Sequence, residues 1–343
     1  MKKIYFSIIG LIAVVLTIIL LINSKSSYAL STTLVDVVKS QSQTYNYTQG
    51  NGNGVYQTNN HEYRYVGANP NNYVKFNDDM YQIIGVFDDY SHGVTGKELV
   101  KLIRARILTS SLYGAYNTDE ASGTYSGYSN NWTGTGQTSP SNSYLLLNEY
   151  FLNRTSASST YGDCSNWTYY NNTNTYKTKD CNTLVGYGIK DSYLGYIEDA
   201  IWYLYGYSGN GLSKQNMYNC ERGGYSGCTS GNSGANDTET TAKIGLMYPS
   251  DYLYASGYIA SNATTGGSNF NFGNSNWLYK GDEWTITPRR NNADSAFVVN
   301  DGGLVYFSLA YHGLGLRPAL YLKSSVYVTG GTGTFDDPYL IEN

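Results

Sequence analysis

The chain has little charge and little proline. Asp, Glu, Lys and Arg make up 14% of its 343 residues, against roughly 25% in an average soluble domain, and there are only 6 prolines. The 22 basic residues do not outnumber the 26 acidic ones, so no cationic excess is present to neutralise phosphates, and nucleic-acid binding is not expected. Low charge does not imply disorder, because 41% of the residues are hydrophobic and can bury a core.

Catalytic signatures are also missing. The sequence contains no HExxH, GxSxG or GxxxxGK[ST] string. Neighbouring acids could serve a hydrolase that uses two carboxylates, although such pairs in turns are usually solvated. These pairs are Asp78-Asp79, Asp88-Asp89, Asp282-Glu283 and Asp336-Asp337. The sequence therefore favours a non-enzymatic protein without a cofactor or a metal.

The N-terminus carries an export signal. Lys2 and Lys3 precede an uncharged, mostly aliphatic stretch over residues 4–22, and the positive flank is expected to stay in the cytoplasm. As a helix this stretch would span roughly 28 Å, enough to cross a bilayer. Small residues before Ala29 also fit cleavage there. Residues 1–29 are thus predicted to be a signal peptide or a single transmembrane anchor, with the rest of the chain secreted or held outside the cell membrane.

All four cysteines lie in the exported part, at Cys164, Cys181, Cys220 and Cys228. An even number in an oxidising compartment predicts two disulfides, with three possible connectivities. We favour the local pairs Cys164–Cys181 and Cys220–Cys228. A zinc site is disfavoured because no CxxC occurs and the histidines are distant in sequence.

The chain divides by composition into a tether, a main domain and a C-terminal segment. Residues 30–60 are predicted to be a flexible tether, residues 61–325 an α+β domain, and residues 326–343 a terminal strand and tail. Polar, low-complexity insertions are expected at 109–143, 153–183 and 205–240. Strands are predicted at 73–76, 80–87, 99–108, 242–248, 283–287, 296–300, 304–308 and 316–322. Helices are predicted at 144–152, at 193–204 and from Pro249.

Three segments of the C-terminal third resemble a known family. They are Trp284–Pro288, Ala296–Val305 and Gly315–Leu320, and they are similar to the closing block of exported domains of Gram-positive gut bacteria that are related to formylglycine-generating enzymes. The upstream segments Tyr81–Val86, Leu146–Leu152 and Ile244–Tyr248 also resemble that family. The resemblance implies a C-type lectin-like fold with short antiparallel strands, few helices and long loops. It does not carry over the copper-binding cysteines or the calcium-dependent sugar motif, because this sequence lacks both.

Binding loops on that scaffold are the predicted functional site. Tyr, Asn, Ser and Gly are typical of such loops, because Tyr offers a rigid contact area with a polar tip and the others adapt their hydrogen bonds. The expected partner is a glycan or a surface protein. The predicted contact residues are Trp277, Trp284, Arg289, Arg290, Asn291, Asn292, Tyr306, Tyr311 and His312.

Arg317 is treated separately from the contact residues. It stands between Leu316 and Pro318 in a predicted strand, so a partly buried structural ion pair is expected there. Two other functions stay open at this point. One is a diverged extracellular enzyme, oxidase-like or a paired-carboxylate hydrolase, and the other is a structural surface or matrix component that self-associates.

Overall fold

In the part of the chain that the structure describes, many short strands and six short α-helices form a mixed α+β structure. The computed structural model describes residues 32–43, 53–58, 62–107, 132, 142–152, 167–170, 176–179, 188–208, 211–224, 228, 238–256, 275–290, 295–310 and 312–343. The strand-rich α+β class predicted from sequence is confirmed. The predicted export stretch, Ala29, Cys164 and Cys181 lie outside the described residues, and within these ranges no helix is long and apolar enough to cross a bilayer.

The helices are α1 Leu34–Ser40, α2 Asp89–His92, α3 Asn142–Leu145, α4 Asp191–Leu194, α5 Lys214–Glu221 and α6 Pro249–Ala255, with a π-helical turn Leu146–Phe151 continuing α3. The first eight strands are β1 Ser42–Gln43, β2 Gly54–Gln57, β3 Tyr63–Val66, β4 Tyr73–Phe76, β5 Asp79–Phe87, β6 Leu99–Arg104, β7 Trp167–Tyr170 and β8 Tyr176–Lys179. The others are β9 Ala200–Tyr203, β10 Glu239–Ala242, β11 Ile244–Gly245, β12 Glu283–Pro288, β13 Ser295–Val299, β14 Val305–Leu309, β15 Ala319–Leu322, β16 Tyr327–Gly330 and β17 Tyr339–Glu342.

A ten-stranded sheet organises the molecule around β5. One edge of β5 pairs with β6, which continues to β15 and β11. Its other edge is shared by β3, which leads to β2 and β1, and by β4, which leads to β17 and β16. The pairs β1–β2 and β17–β4 are parallel, and the others in this sheet are antiparallel. The core lies against this sheet, where Ile83, Leu102 and Leu320 are fully buried.

Two backbone features fix the pairing of β5. The β4–β5 hairpin turns at Asn77 and Asp78, whose φ values of 58° and 57° are typical of a two-residue type I′ turn. Further along, a Cβ on Gly85 would collide with the carbonyl oxygen of Tyr63, so only glycine lets β3 approach β5 so closely. The register of β5 against β6 also shifts between Ile83 and Gly85.

The described parts of residues 30–60, namely 32–43 and 53–58, differ from the flexible tether expected there. Helix α1 is capped by Thr33, whose hydroxyl accepts a hydrogen bond from the Asp36 N–H at 3.1 Å. It packs against β5, β6 and β16 and buries Leu34 and Val38. Strands β1 and β2 then join the central sheet. Val35 is the third buried apolar side chain on α1, and burial of each such side chain stabilises the docked helix by roughly 1.5–3 kcal/mol.

Three further expectations differ from the structure. The predicted helix 193–204 ends at Leu194, and residues 200–203 form β9 because they pair with β10 instead. The predicted insertion 205–240 contains α5, which buries Met217 and Tyr218. Residues 326–343, predicted as a terminal strand and tail, form the predicted strand as β16 and a second strand, β17, in place of the tail, and both join the central sheet. All three depend on contacts between distant segments, which local periodicity does not encode.

Candidate functional site

The two tryptophans predicted to contact a ligand lie in the core instead. Trp277 is 3% exposed and Trp284 is 1% exposed. The indole N–H of Trp277 donates to the carbonyl oxygen of Tyr65 at 2.9 Å. Their aromatic area therefore stabilises the fold through burial rather than presenting a binding surface. This corrects the ligand-binding role expected for both residues.

Arg317 forms a buried ion pair with Glu283 of β12. Its Nε and Nη2 donate to the two carboxylate oxygens at 2.5 and 2.7 Å, in a bidentate arrangement. Nη2 also donates to the carbonyl oxygen of Leu278. Burial raises the pKa of Glu283, against the opposing effect of the Arg317 charge. The pair ties the segment before β15 to β12 and is not accessible to a ligand.

The other described contact residues gather around the three-stranded sheet β12–β13–β14. Tyr306 on the edge strand β14 is 40% exposed, and its ring stacks on that of Phe307 with centroids 4.4 Å apart. The guanidinium carbon of Arg289, just after β12, lies 3.5 Å from the centroid of the Phe307 ring. This geometry is a cation–π contact. Asn291, Asn292 and Tyr311 lie outside the described residues.

Polar groups border these rings. The Ser308 hydroxyl and His312 Nδ1 are 2.7 Å apart, and burial lowers the pKa of His312, which favours a neutral imidazole at pH 7. Arg290 donates its backbone N–H to the carbonyl oxygen of Tyr207 at 2.9 Å, which holds the end of β12 in place. We call Arg289, Tyr306, Phe307, Ser308 and His312 the aromatic patch.

A second cluster was not anticipated from sequence. Six charged side chains form a network that is at most 6% exposed, from residues Glu62, Arg64, Lys101, Glu221, Arg222 and Asp251. The Asp251 carboxylate accepts from Arg64 Nη1 at 2.9 Å and from Lys101 Nζ at 2.6 Å. Charges are almost never buried unless they are paired in this way. We call these six residues the ionic network.

Hydroxyl groups connect the two halves of the ionic network. Arg64 Nη2 donates to Glu62 at 2.8 Å, and Glu62 also accepts from the hydroxyls of Ser91 and Tyr218. Arg222 in turn donates from Nε to the Ser91 hydroxyl at 3.1 Å. The network therefore links β3 to α2 and to the end of α5.

Opposed pKa shifts accompany this burial. Burial lowers the pKa of Lys101 to about 8, and its Nζ lies 4.4 to 5.6 Å from the centroids of four rings, those of Phe87, Trp202, Tyr248 and Tyr321. Burial raises the pKa of Glu221 to about 7. Such shifts are common at functional sites and also in structural ion-pair networks. Here the carboxylates bridge a helix and two strands, which fits a structural role.

The ionic network is hard to find in sequence because its six members come from four distant segments of the chain, although Glu62 and Arg64 give a local signal. They alternate with Tyr63 and Tyr65 along β3, a pattern that normally places the charges toward solvent. Elsewhere in the described residues, no three His, Cys, Asp or Glu side chains gather as a metal site would require.

The disulfide predicted between Cys220 and Cys228 is present and confirmed, with its Cα atoms 5.6 Å apart. It links the last turn of α5 to Cys228. Comparisons of the chain with protein-family models, with curated proteins and with solved structures found no match.

Proposed function

We propose that the chain is a non-enzymatic binding protein of the cell exterior, built on a C-type lectin-like scaffold, that recognises a glycan or a surface protein. The short strands and few helices of the described residues support the scaffold. The Cys220–Cys228 disulfide and the apolar stretch over residues 4–22 support an extracytoplasmic location, either secreted or anchored by a single helix.

The aromatic patch is the observation that carries this proposal. Tyr306 presents an exposed ring on an edge strand, and the contact with Phe307 restrains that ring before any partner arrives. A restrained aromatic side chain loses little conformational entropy on binding. It can therefore stack on the apolar face of a sugar ring or fill a shallow pocket on a protein.

Polar neighbours give the patch its capacity for specificity. The hydroxyl of Ser308 and the imidazole of His312 lie on the same strand end as the rings and can exchange hydrogen bonds with a polar partner. Arg289 adds a positive charge fixed over Phe307. An aromatic anchor with polar groups at its border is the usual composition of a binding centre.

An array that carries both glycans and surface proteins tests the proposal. The full chain is applied as wild type and as Tyr306→Ala, and bound protein is detected. We expect wild-type binding to a small set of probes and at least a tenfold weaker signal for the variant, since a central aromatic anchor contributes more than about 1.4 kcal/mol. Wild-type signal at background on every probe contradicts the proposal.

A further inference from the structure

A cavity of about 400 Å³ lies at the start of the domain and shares no residue with the aromatic patch. Its volume lies in the range of roughly 300–1,000 Å³ that is typical of small-molecule sites. We call it the neutral pocket. It is lined by Gln41, Asn53, Gly54, Val55, Tyr65, Asn69 and Asn71.

The inner wall of the neutral pocket is held in a fixed orientation. The Tyr65 hydroxyl donates to Gln41 Oε1 at 3.2 Å, and Gln41 Nε2 donates to the Tyr339 hydroxyl at 2.6 Å. The two tyrosines are in β3 and β17, so the side-chain amide of Gln41 is clamped between two strands of the central sheet. A clamped amide is prepared for a ligand without further loss of side-chain freedom.

The outer wall offers amide groups that are still available. Asn53 Oδ1 accepts the backbone N–H of Asn69 at 2.8 Å, which leaves the Asn53 Nδ2 group as a donor. The side chains of Asn69 and Asn71 make no hydrogen bond to the part of the chain that the structure describes, and both residues are exposed. Each side-chain amide can donate and accept at the same time.

The lining decides the chemical class of the ligand. None of the seven residues is charged, so no countercharge would offset the desolvation of an ionic ligand. Paired amide donors and acceptors match neighbouring hydroxyl groups, which act as both donors and acceptors. Val55 and the open backbone at Gly54 add apolar contact area. We infer that the neutral pocket binds one unit of an uncharged carbohydrate.

A substitution at Gly54 is the variant with which we block the neutral pocket. A Cβ built there meets no atom within 4 Å, and its backbone lies outside the positive-φ region, so a larger side chain fits without strain. Gly54→Ile would occupy the cavity and leave the fold intact. Gly195 is a matched control, because it is exposed, lies after α4 away from the pocket lining, and also has room for a Cβ.

The experiment is saturation-transfer NMR on the full chain with glucose, galactose, mannose, N-acetylglucosamine and their β-linked disaccharides, plus glucuronic acid as the charged probe. We expect transfer to at least one neutral sugar, at least a tenfold loss of affinity in Gly54→Ile, and wild-type affinity in Gly195→Ile. All of these comparisons are made in the Tyr306→Ala background, which removes the aromatic anchor of the patch, so that sugar bound at the patch is not counted and failure of the patch and failure of the pocket are distinguishable.

Three results would overturn the inference. They are the absence of transfer to every neutral sugar, transfer to glucuronic acid alone, and neutral-sugar binding that survives Gly54→Ile. Circular dichroism of each variant verifies that Gly54→Ile keeps the wild-type fold. If it does not, Asn71→Ala, which removes an exposed amide, replaces it as the blocking variant and must show the same tenfold loss.

Discussion

Asp251 is the single residue that joins most parts of the ionic network. Besides Arg64 and Lys101, its carboxylate accepts the backbone N–H of Tyr248 at 2.9 Å and so also holds the start of α6. The positive charges of its two partners lower its pKa to about 2, against the opposing effect of burial. The carboxylate therefore stays ionised in the folded state over the physiological range.

Removal of the Asp251 charge should lower the free energy of unfolding. Asp251→Asn leaves Arg64 and Lys101 buried with less compensation, and we expect the free energy of unfolding to fall by about 3–5 kcal/mol. Urea denaturation measures it. The control is Asp199→Asn, which breaks an ion pair with Lys243. Because the Asp199 side chain is 63% exposed, this substitution should lower the free energy of unfolding by less than about 1 kcal/mol. Equal costs for the two variants would mean that the ionic network does not stabilise the fold.

Glu221 should give stability a distinct pH dependence. Burial raises its pKa from 4.5 to about 7, so between these values the folded state binds more protons than the unfolded state. The free energy of unfolding then falls as the pH rises through this window, by up to about 3 kcal/mol from this one group. Urea titrations of wild type and Glu221→Gln at several pH values measure the difference. Parallel pH profiles for the two proteins would contradict this prediction.

The role of a single residue can be predicted from sequence where its neighbours in the chain restrict what the side chain can do. Arg317 stands among apolar strand residues, and a charge in that setting needs a partner, which Glu283 provides. Trp277 and Trp284 carry no comparable signal, because an indole suits a core and a binding surface equally well. Only the packing of distant strands decides between the two, and here it buries both rings.

At the scale of elements, α1 shows how weak local signals combine. A run of five residues, 34–38, contains all of its buried apolar side chains, and such a short helix is unstable alone. The helix forms because its apolar side chains pack against the central sheet and because the Leu34 N–H donates to the carbonyl oxygen of Val326 at 2.8 Å. The sequence around it is rich in polar residues, which is why a tether was expected.

The docking of α1 can be tested with one apolar truncation. Leu34→Ala removes a side chain that is 1% exposed, and we expect a loss of about 2–5 kcal/mol in the free energy of unfolding. Val37→Ala on the same helix truncates a half-buried side chain and should cost clearly less. Thermal or urea unfolding of both variants measures this. If Leu34→Ala is as stable as wild type, the segment behaves as the tether that its composition suggests.

Strand β9 illustrates where helical periodicity misleads. Leu194, Ile197, Ile201 and Leu204 recur at helical spacing, yet the structure alternates buried Ala200 and Trp202 with half-buried neighbours in β9. The helical spacing and the strand alternation therefore overlap in the segment around residues 200–204. Pairing of β9 with β10 decides the outcome, and that pairing lies outside any local window.

Across the described part of the molecule, several of the few charged side chains lie in the interior. Charged side chains are few, and nine of those described are buried, namely Glu62, Arg64, Lys101, Arg104, Glu221, Arg222, Asp251, Glu283 and Arg317. The exposed described residues still include many charged side chains, such as Asp36, Lys75 and Asp301, beside Asn, Ser, Thr and Gly. The α+β class and about half of the described strands were predictable from composition and pattern, whereas the branching of the central sheet and the ionic network depend on distant contacts.

The proposed location outside the cell predicts oxidised cysteines in the native protein. Closing the loop between Cys220 and Cys228, which are 8 residues apart, stabilises the fold by roughly 2–3 kcal/mol in the chain-entropy model. Mass spectrometry of cleaved, non-reduced protein should yield the linked pair, and reductant should lower the unfolding midpoint. Free thiols at both positions in protein from the native host would count against an oxidising compartment.

The aromatic patch is the surface that we propose recognises the partner. The most direct measurement is the Kd of wild type, Tyr306→Ala and Tyr90→Ala for the strongest array probe, because Tyr90 is also an exposed tyrosine, at 47% against 40%. We predict a Kd at least tenfold higher for Tyr306→Ala and unchanged for Tyr90→Ala. A Kd unchanged by Tyr306→Ala, or raised equally by both substitutions, would contradict it.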